Sequence, residues 1–575
     1  MSEGETDQAP GTQADWPLRP WMLAALLALA GLAVHFVTDP AGADLVPWRA
    51  ALAAALVFGP LAFAFTLDRA RWKEPLVFAG VVALVMAGIA WRASSAGERH
   101  ADQAFWVAAG LVAITLALPL FQAGFHRLRW RTAYDRTHFH VWTDAISGAG
   151  ALVFTGVSWL LLLLLAALFS AIDIDLVENL IDEGWFGWSF SGAAFGAALG
   201  VLRNQLKIIG TLQSVVLLVL SILALPLAVA IAVFLGAVVV SGPSVLWNAT
   251  DSATPVLLSI AIGAYVLANA VLRDRDEDMV GGPVLKWSGY ALVLDILPLT
   301  VFAAISTGAR IDQHGLSPER LWALCSLIVA VAFGLAYFVD ALVGARGSWR
   351  DRLRASNLKL GLGTALFALF LALPVLNFGA ISTSDQLARL ESGAISAKEF
   401  DFSALKWDFG AAGRKALDRL AKSSDAAIAK GARQAQLQET RPYRWAGERQ
   451  APESLSITWQ GGDDALRSSV EDYLLANRNM CGSEGPCAAI AAGTLPSGDR
   501  LVLVTGGSNP RYLGVAEGGD VTQYYARQGR LVEEPFEIAV DLDEPGREGP
   551  PEAEIRPFEG RQLYVDGKPV GEPFE

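Results

Sequence analysis

The chain has 575 residues, of which 53% are hydrophobic and only 18% charged, with a mean hydropathy of +0.38. Those values exclude an ordinary large soluble enzyme and point to a protein that crosses a bilayer many times. The net charge is −13, and residues 380–575 alone hold 22 Lys+Arg against 31 Asp+Glu, which argues against a nucleic-acid partner.

Residues 1–18 are polar and acidic and read as a disordered lead, without the positive start of a cleavable signal peptide. A bilayer core of about 30 Å takes about 20 apolar residues in a helix. Ten segments have or approach that length: 21–38, 49–67, 75–92, 104–125, 149–172, 211–240, 255–272, 287–306, 320–342 and 359–379. An eleventh candidate, Gly184 to Leu202, is uncharged but rich in glycine and alanine. Its Gly192, Gly196 and Gly200 fall four apart, on one helix face, where a second backbone can approach closely. The alternative for this stretch is an interfacial or re-entrant segment.

Positive residues decide between the two counts, because Lys and Arg collect in cytoplasmic loops. With ten spans the two faces carry 10 and 13 of them; with eleven they carry 18 and 5. Eleven spans therefore place the N-terminus in the cytoplasm and everything after residue 379 outside.

Within the spans, residues 208–240 are too many for one untilted crossing, and Pro226 removes a backbone hydrogen bond near their middle. That kink either lines a cavity or serves packing alone. Asp295 sits about mid-membrane, three residues before Pro298. An ionisable group at that depth is a functional candidate, as a proton-binding carboxyl, against the simpler reading of a structural hydrogen bond. The loop "HRLRWRTAYDRTHFHVWTD" holds His126, His138 and His140. His138 and His140 with Asp135 or Asp144 make only a weak metal pattern, and anchoring at anionic headgroups is the simpler role of the Arg and Trp residues. On the outer side, "RIDQHGLSPER" supplies Arg310, Gly315, Ser317, Pro318 and Arg320, with Ser317 as helix cap and Pro318 in the first turn. Arg310 and Arg320 are the cations least expected there, with acids of the tail as candidate partners.

Beyond residue 379 a polar helical connector is expected over 380–450, followed by a small extracytoplasmic α+β domain over 451–575. "AAGRKALDRLAKSSDAAIAKGARQ" reads as amphipathic helix. "SLSITWQ", "RLVLVTGG", "RYLGVAE", "VTQYYARQ" and "FEIAVDL" read as strands, and "QLYVDGKPV" as a hairpin. Cys481 and Cys487 suit a disulfide in an oxidising compartment. Two free thiols are the alternative, and metal is the weakest reading because no histidine follows His314. Cys325, inside a span, reads as a small apolar residue.

"RIDQHGLSPERLWAL" and "FDFSALKWDFGAAGRKALDRLA" resemble segments of a family of bacterial membrane proteins defined by domain of unknown function 4153, over about residues 100–425. Ser317 stands where the family usually has Thr, and Ala412 where it has Tyr. The resemblance implies a multi-pass inner-membrane protein and brings no catalytic residues. The sequence itself offers no nucleophile elbow, P-loop, dinucleotide fingerprint or zinc helix, and no cofactor or metal is expected. Three readings remain: a non-enzymatic protein that engages an envelope partner through its outer domain, a transporter or channel built on Asp295 and the proline kinks, and, ranked behind both, a membrane enzyme acting on lipid-linked substrates. Oligomeric state is not legible.

Overall fold

The computed structural model describes residues 16–38, 46–96, 102–242, 253–277, 279, 282–343, 349–442, 457–477, 480, 487–505, 511–527, 530–532, 561–565 and 568–574. The chain forms two compact units, Met1–Ala388 and Arg389–Glu575.

In the first unit, eleven helices among the described residues are long and apolar enough to cross a membrane. They are α1 (Arg19–Thr38), α2 (Pro47–Thr66), α3 (Lys73–Ser95), α4 (Gln103–Gln122), α6 (Tyr134–Ser170), α8 (Gly184–Asn204), α9 (Leu206–Ser241), α10 (Ala253–Leu272), α11 (Pro283–His314), α12 (Pro318–Val343) and α13 (Trp349–Ala372). Short helices α5 (Phe125–Leu128) and α7 (Leu176–Asp182) lie between them, and α14 (Phe378–Glu391) follows. Leu152, Val153, Leu160, Leu161, Leu164 and Leu168 all stand exposed along α6. Apolar surface on that scale needs lipid rather than water against it.

Glycine decides how α8 is held. A Cβ on Gly192 would stand 2.2 Å from the Leu27 carbonyl oxygen, one on Gly196 2.3 Å from that of Leu23, and one on Gly200 2.5 Å from Pro20 Cα. Rising numbers on α8 meet falling numbers on α1, so the two helices run antiparallel with their backbones in contact. The weakly apolar stretch is a full-length helix of the bundle. A second core joins Ala261, Ala264 and Ala268 of α10 to Leu292, Val293, Ile296 and Leu299 of α11 and Tyr337 and Ala341 of α12.

Several helix ends differ from those the hydropathy implies. Helix α6 begins at Tyr134 rather than near 149, because its backbone ladder continues through polar turns in which Tyr134, Asp135 and Asp144 reach partners on other elements. Helix α13 covers Trp349–Ala372 rather than 359–379. Pro374 ends it, since the residue before a proline is driven out of the helical region. Helix α14 then starts at Phe378, where Asn377 Oδ1 accepts the Ala380 N–H at 2.9 Å. Ser382 and Thr383 lie inside it, and Thr383 donates to the Gly379 carbonyl at 2.7 Å.

The second unit opens with α15 (Phe402–Trp407), α16 (Gly410–Leu420) and α17 (Ala426–Leu437) around Phe400, Phe402, Leu405, Phe409 and Leu417. The single amphipathic helix expected from the sequence is thus two, because Asp425 caps the second by accepting the N–H groups of Ala427 and Ile428. Lys406 is buried and donates to the carbonyls of Gln436, at 2.6 Å, and Gln438. Arg441 grips Asp408 with two nitrogens.

Six strands then form one sheet in chain order: β1 (Ile457–Gln460), β2 (Cys487–Thr494), β3 (Arg500–Thr505), β4 (Arg511–Val515), β5 (Val521–Arg527) and β6 (Arg530–Val532). β1 pairs with β2 in parallel across helix α18 (Asp464–Ala476), and the rest is an antiparallel meander. Leu466, Val470, Tyr473 and Leu474 of α18 pack on Val502, Val504, Leu513 and Val515. β7 (Arg561–Val565) and β8 (Lys568–Phe574) make the expected hairpin. The "FEIAVDL" strand candidate lies outside the described residues.

Candidate functional site

The most elaborate polar arrangement in the first unit forms where α10 ends and α6 and α13 begin. Helix α10 terminates at Arg273 in a left-handed conformation, φ 50°, leaving its last carbonyls without intrahelical donors. Arg354 of α13 supplies them: Nη2 donates to the Leu272 carbonyl at 3.0 Å and Nε to that of Arg273 at 3.2 Å. A cation is also favoured there by the helix dipole. The remaining nitrogen of Arg354 pairs with Asp276 at 3.0 Å and Asp351 at 3.1 Å. Arg350 reaches Asp276 at 2.9 Å, and Arg275 reaches Asp135 of α6 at 2.8 Å. Three chain turns are thereby locked together.

Beside this clasp lies a cavity of about 460 Å³, lined by Trp130, Tyr134, Asp135, Asp274, Arg275, Asp351, Arg354 and Lys359 among others. Below it a polar ladder runs into the bundle. Tyr134 Oη accepts from Asn357 Nδ2 at 3.1 Å, and the same amide donates to Asn269 Oδ1 at 2.9 Å. Asn269 Nδ2 donates to Tyr337 Oη at 2.8 Å, and Tyr337 donates onward to Asn357 Oδ1 at 2.5 Å. A closed ring of two amides and one hydroxyl results, with every group satisfied. Rings of this kind fix a unique packing in an apolar interior. The arrangement can bind a charged polar ligand; it holds no nucleophile paired with a base.

A second polar junction joins four helices at α8's C-terminal end. Arg203 pairs with Asp144 at 2.7 Å, both side chains 10% exposed, and Gln122 donates to the same carboxylate at 3.2 Å. Arg19 donates to the carbonyls of Leu67 and Arg203 at 2.8 and 3.2 Å. At the other end of α11, the Leu316 N–H donates to Asp385 of α14 at 2.7 Å, and Gln386 donates to the carbonyls of His314 and Leu316. Gly315, with φ 71°, makes the turn, Ser317 caps α12 through the Arg320 N–H at 3.3 Å, and Pro318 is its first residue.

A family model described as Domain of unknown function (DUF4153) matches residues 24–420. The chain belongs to the DUF4153 family. No curated protein and no solved structure matches it. The DUF4153 match takes in the cavity, the polar ladder, the glycines of α8, the Gly315 turn and helices α15 and α16, and stops before the sheet.

The residues singled out in the sequence are scattered through the DUF4153 fold rather than gathered at one site. Asp295 is half-buried on α11, and its Oδ2 has no hydrogen-bond partner among the described residues. Pro226 and Pro298 lie inside α9 and α11, which both continue through them. Arg320 donates to the Gly315 carbonyl at 2.8 Å, so it braces its own turn, and Arg310 sits in the last turns of α11. His138 Nε2 accepts from Trp142 at 3.2 Å, while His140 stands edge-on to Phe139. Among the described residues no group of three His, Cys, Asp or Glu side chains is placed to hold a metal. Cys487 is disulfide-bonded and Cys325 is free; Cys481 lies outside the described residues. The sequence reading missed Asn269, Asn357, Tyr337 and the capping role of Arg354. The available signal was Asn269 in an otherwise apolar helical run; Asn357 lies among charged residues and gave none.

Proposed function

We propose that this chain is a non-enzymatic protein of a bacterial inner membrane, with the cavity end of its bundle in the cytoplasm and its second unit binding an envelope partner in the periplasm. The observation that carries the reading is the α1–α8 seam: a full-length α8 supports the count of eleven crossings, under which 18 of the 23 Lys and Arg residues before residue 380 fall on one face. The disulfide at Cys487 supports an oxidising location for the second unit, and we assign Cys481 as its partner. Reporter fusions test the orientation: a periplasmic reporter joined after residue 442 is active and a cytoplasmic one silent. The reverse pattern refutes the periplasmic role. Crosslinking through the second unit in intact cells then recovers one defined partner; recovery of none counts against partner binding.

The buried, unpartnered Oδ2 of Asp295 supports a second reading, a transporter in which this carboxyl carries a proton. Proton flux in proteoliposomes that collapses in Asp295→Asn, with folding retained, favours it. Flux unchanged by that substitution removes it.

A further inference from the structure

The cavity at the α6–α10–α13 junction has a charge inventory that specifies its ligand. Six charged side chains line it: Asp135, Asp274 and Asp351 against Arg275, Arg354 and Lys359. Four of these are committed, Arg275 to Asp135 and Arg354 to Asp351, as well as to Asp276 and two carbonyls. Two are not. Neither the Asp274 carboxylate nor the Lys359 ammonium has a hydrogen bond or ion pair with any described residue, and they do not pair with each other. The cavity therefore offers one free negative and one free positive group on opposite accounts, with the rest neutral.

A simple anion would satisfy Lys359 and face Asp274 unscreened; a simple cation would do the converse. A zwitterion with its charges a few ångströms apart satisfies both. The volume of about 460 Å³ lies within the range of small-ligand sites, which runs from about 300 to 1,000 Å³. The position supplies the rest: the lining comes from the ends of three long apolar helices and from Trp130, which is 65% exposed, as aromatic side chains at a headgroup boundary are. We propose that this cavity binds a phosphate–ammonium zwitterion of the phosphoethanolamine type, with its primary ammonium on Asp274 and its phosphate on Lys359. A carboxylate accepts N–H donors, which a quaternary ammonium lacks. The ligand is either the headgroup of a lipid or free phosphoethanolamine.

The test uses the full chain purified in detergent and titrated calorimetrically with dihexanoyl phosphatidylethanolamine, phosphatidylglycerol and phosphatidylcholine, and with free phosphoethanolamine. Phosphatidylethanolamine binds at least tenfold more tightly than the other two lipids. Asp274→Asn and Lys359→Gln each weaken it at least tenfold while leaving the melting temperature in place, because neither side chain supports the fold through a partner. Asp274→Asn also shifts preference toward phosphatidylglycerol, since an anion no longer meets a bare carboxylate. Free phosphoethanolamine binding as tightly as the lipid assigns the site to the soluble compound; much weaker binding assigns it to the lipid. Equal affinity for the three lipids, or unchanged affinity in both variants, overturns the proposal.

Discussion

Asp385 accepts the backbone N–H of Leu316 at 2.7 Å, so a carboxylate on α14 ties down the turn between α11 and α12. Asp385→Leu leaves that N–H without an acceptor, at a cost of about 1–3 kcal/mol. Asp385→Asn keeps an acceptor oxygen and costs less. Hydrogen exchange at the Leu316 amide reads the difference directly: fast in the leucine variant, near wild type in the asparagine one. Equal protection in both would mean that the bond does not hold the turn.

The seam between α1 and α8 predicts an asymmetric response to adding one methyl group. At Gly196 the methyl meets the Leu23 carbonyl oxygen at 2.3 Å, and the helices must separate. Overpacking of this kind costs about 1–3 kcal/mol. At Gly80 nothing lies within 4 Å, so alanine there is neutral or mildly stabilising through its better helix propensity. Melting temperatures in detergent of Gly196→Ala and Gly80→Ala should move apart, the first downward.

Removing one half of the Asp144–Arg203 pair strands the other as an uncompensated charge in a buried site. Asp144→Ala should cost about 3–5 kcal/mol, whereas the double substitution Asp144→Leu/Arg203→Met should cost distinctly less. Thermal unfolding of the two variants decides it, and a double variant as weak as the single one would contradict the account.

In the polar ring, Tyr337→Phe removes the donor to Asn357 and an acceptor for Asn269 in one step. The exposed cost of two unmatched amide groups is about 1–3 kcal/mol each. The ring lies just beneath the cavity, so the variant should also weaken any ligand bound there, measurable in the same titrations.

Asp463 gives the second unit an acid-sensitive point. Its carboxyl is held below the ordinary aspartate range first by the Leu466 N–H, at 2.8 Å, and then by Arg500, at 2.6 Å. A depressed folded value means that the stabilisation is complete above the unfolded value and fades as pH falls through the folded one. Amide exchange at Leu466 should therefore accelerate on acidification below the ordinary aspartate range. In Asp463→Asn that exchange should show no such pH step.

Much of the architecture was legible because a bilayer demands long apolar helices, and Gly192, Gly196 and Gly200 mark a face by their spacing alone. Helix ends were less legible: Tyr134 and Trp349 begin helices inside polar sequence, where tertiary partners outweigh hydropathy. Strand β2 escaped notice since half of "CAAIAAGT" is alanine, and its strand character comes from lying between β1 and β3. The cavity was least legible. Arg354 counted in the sequence only as a positive charge, and nothing local to Asn269 or Asn357 reveals that residues 88 positions apart share a ring.

The backbone contact between α1 and α8 also bears on synthesis. The first helix leaves the ribosome long before its mate, and four further spans enter the membrane in between. At ordinary elongation rates that wait is on the order of 10–30 s. During it, the grooved flank of α1 has only lipid or the insertion machinery beside it. A truncated chain ending before Gly184 should accordingly remain bound to the translocation apparatus, and one ending after Asn204 should be released.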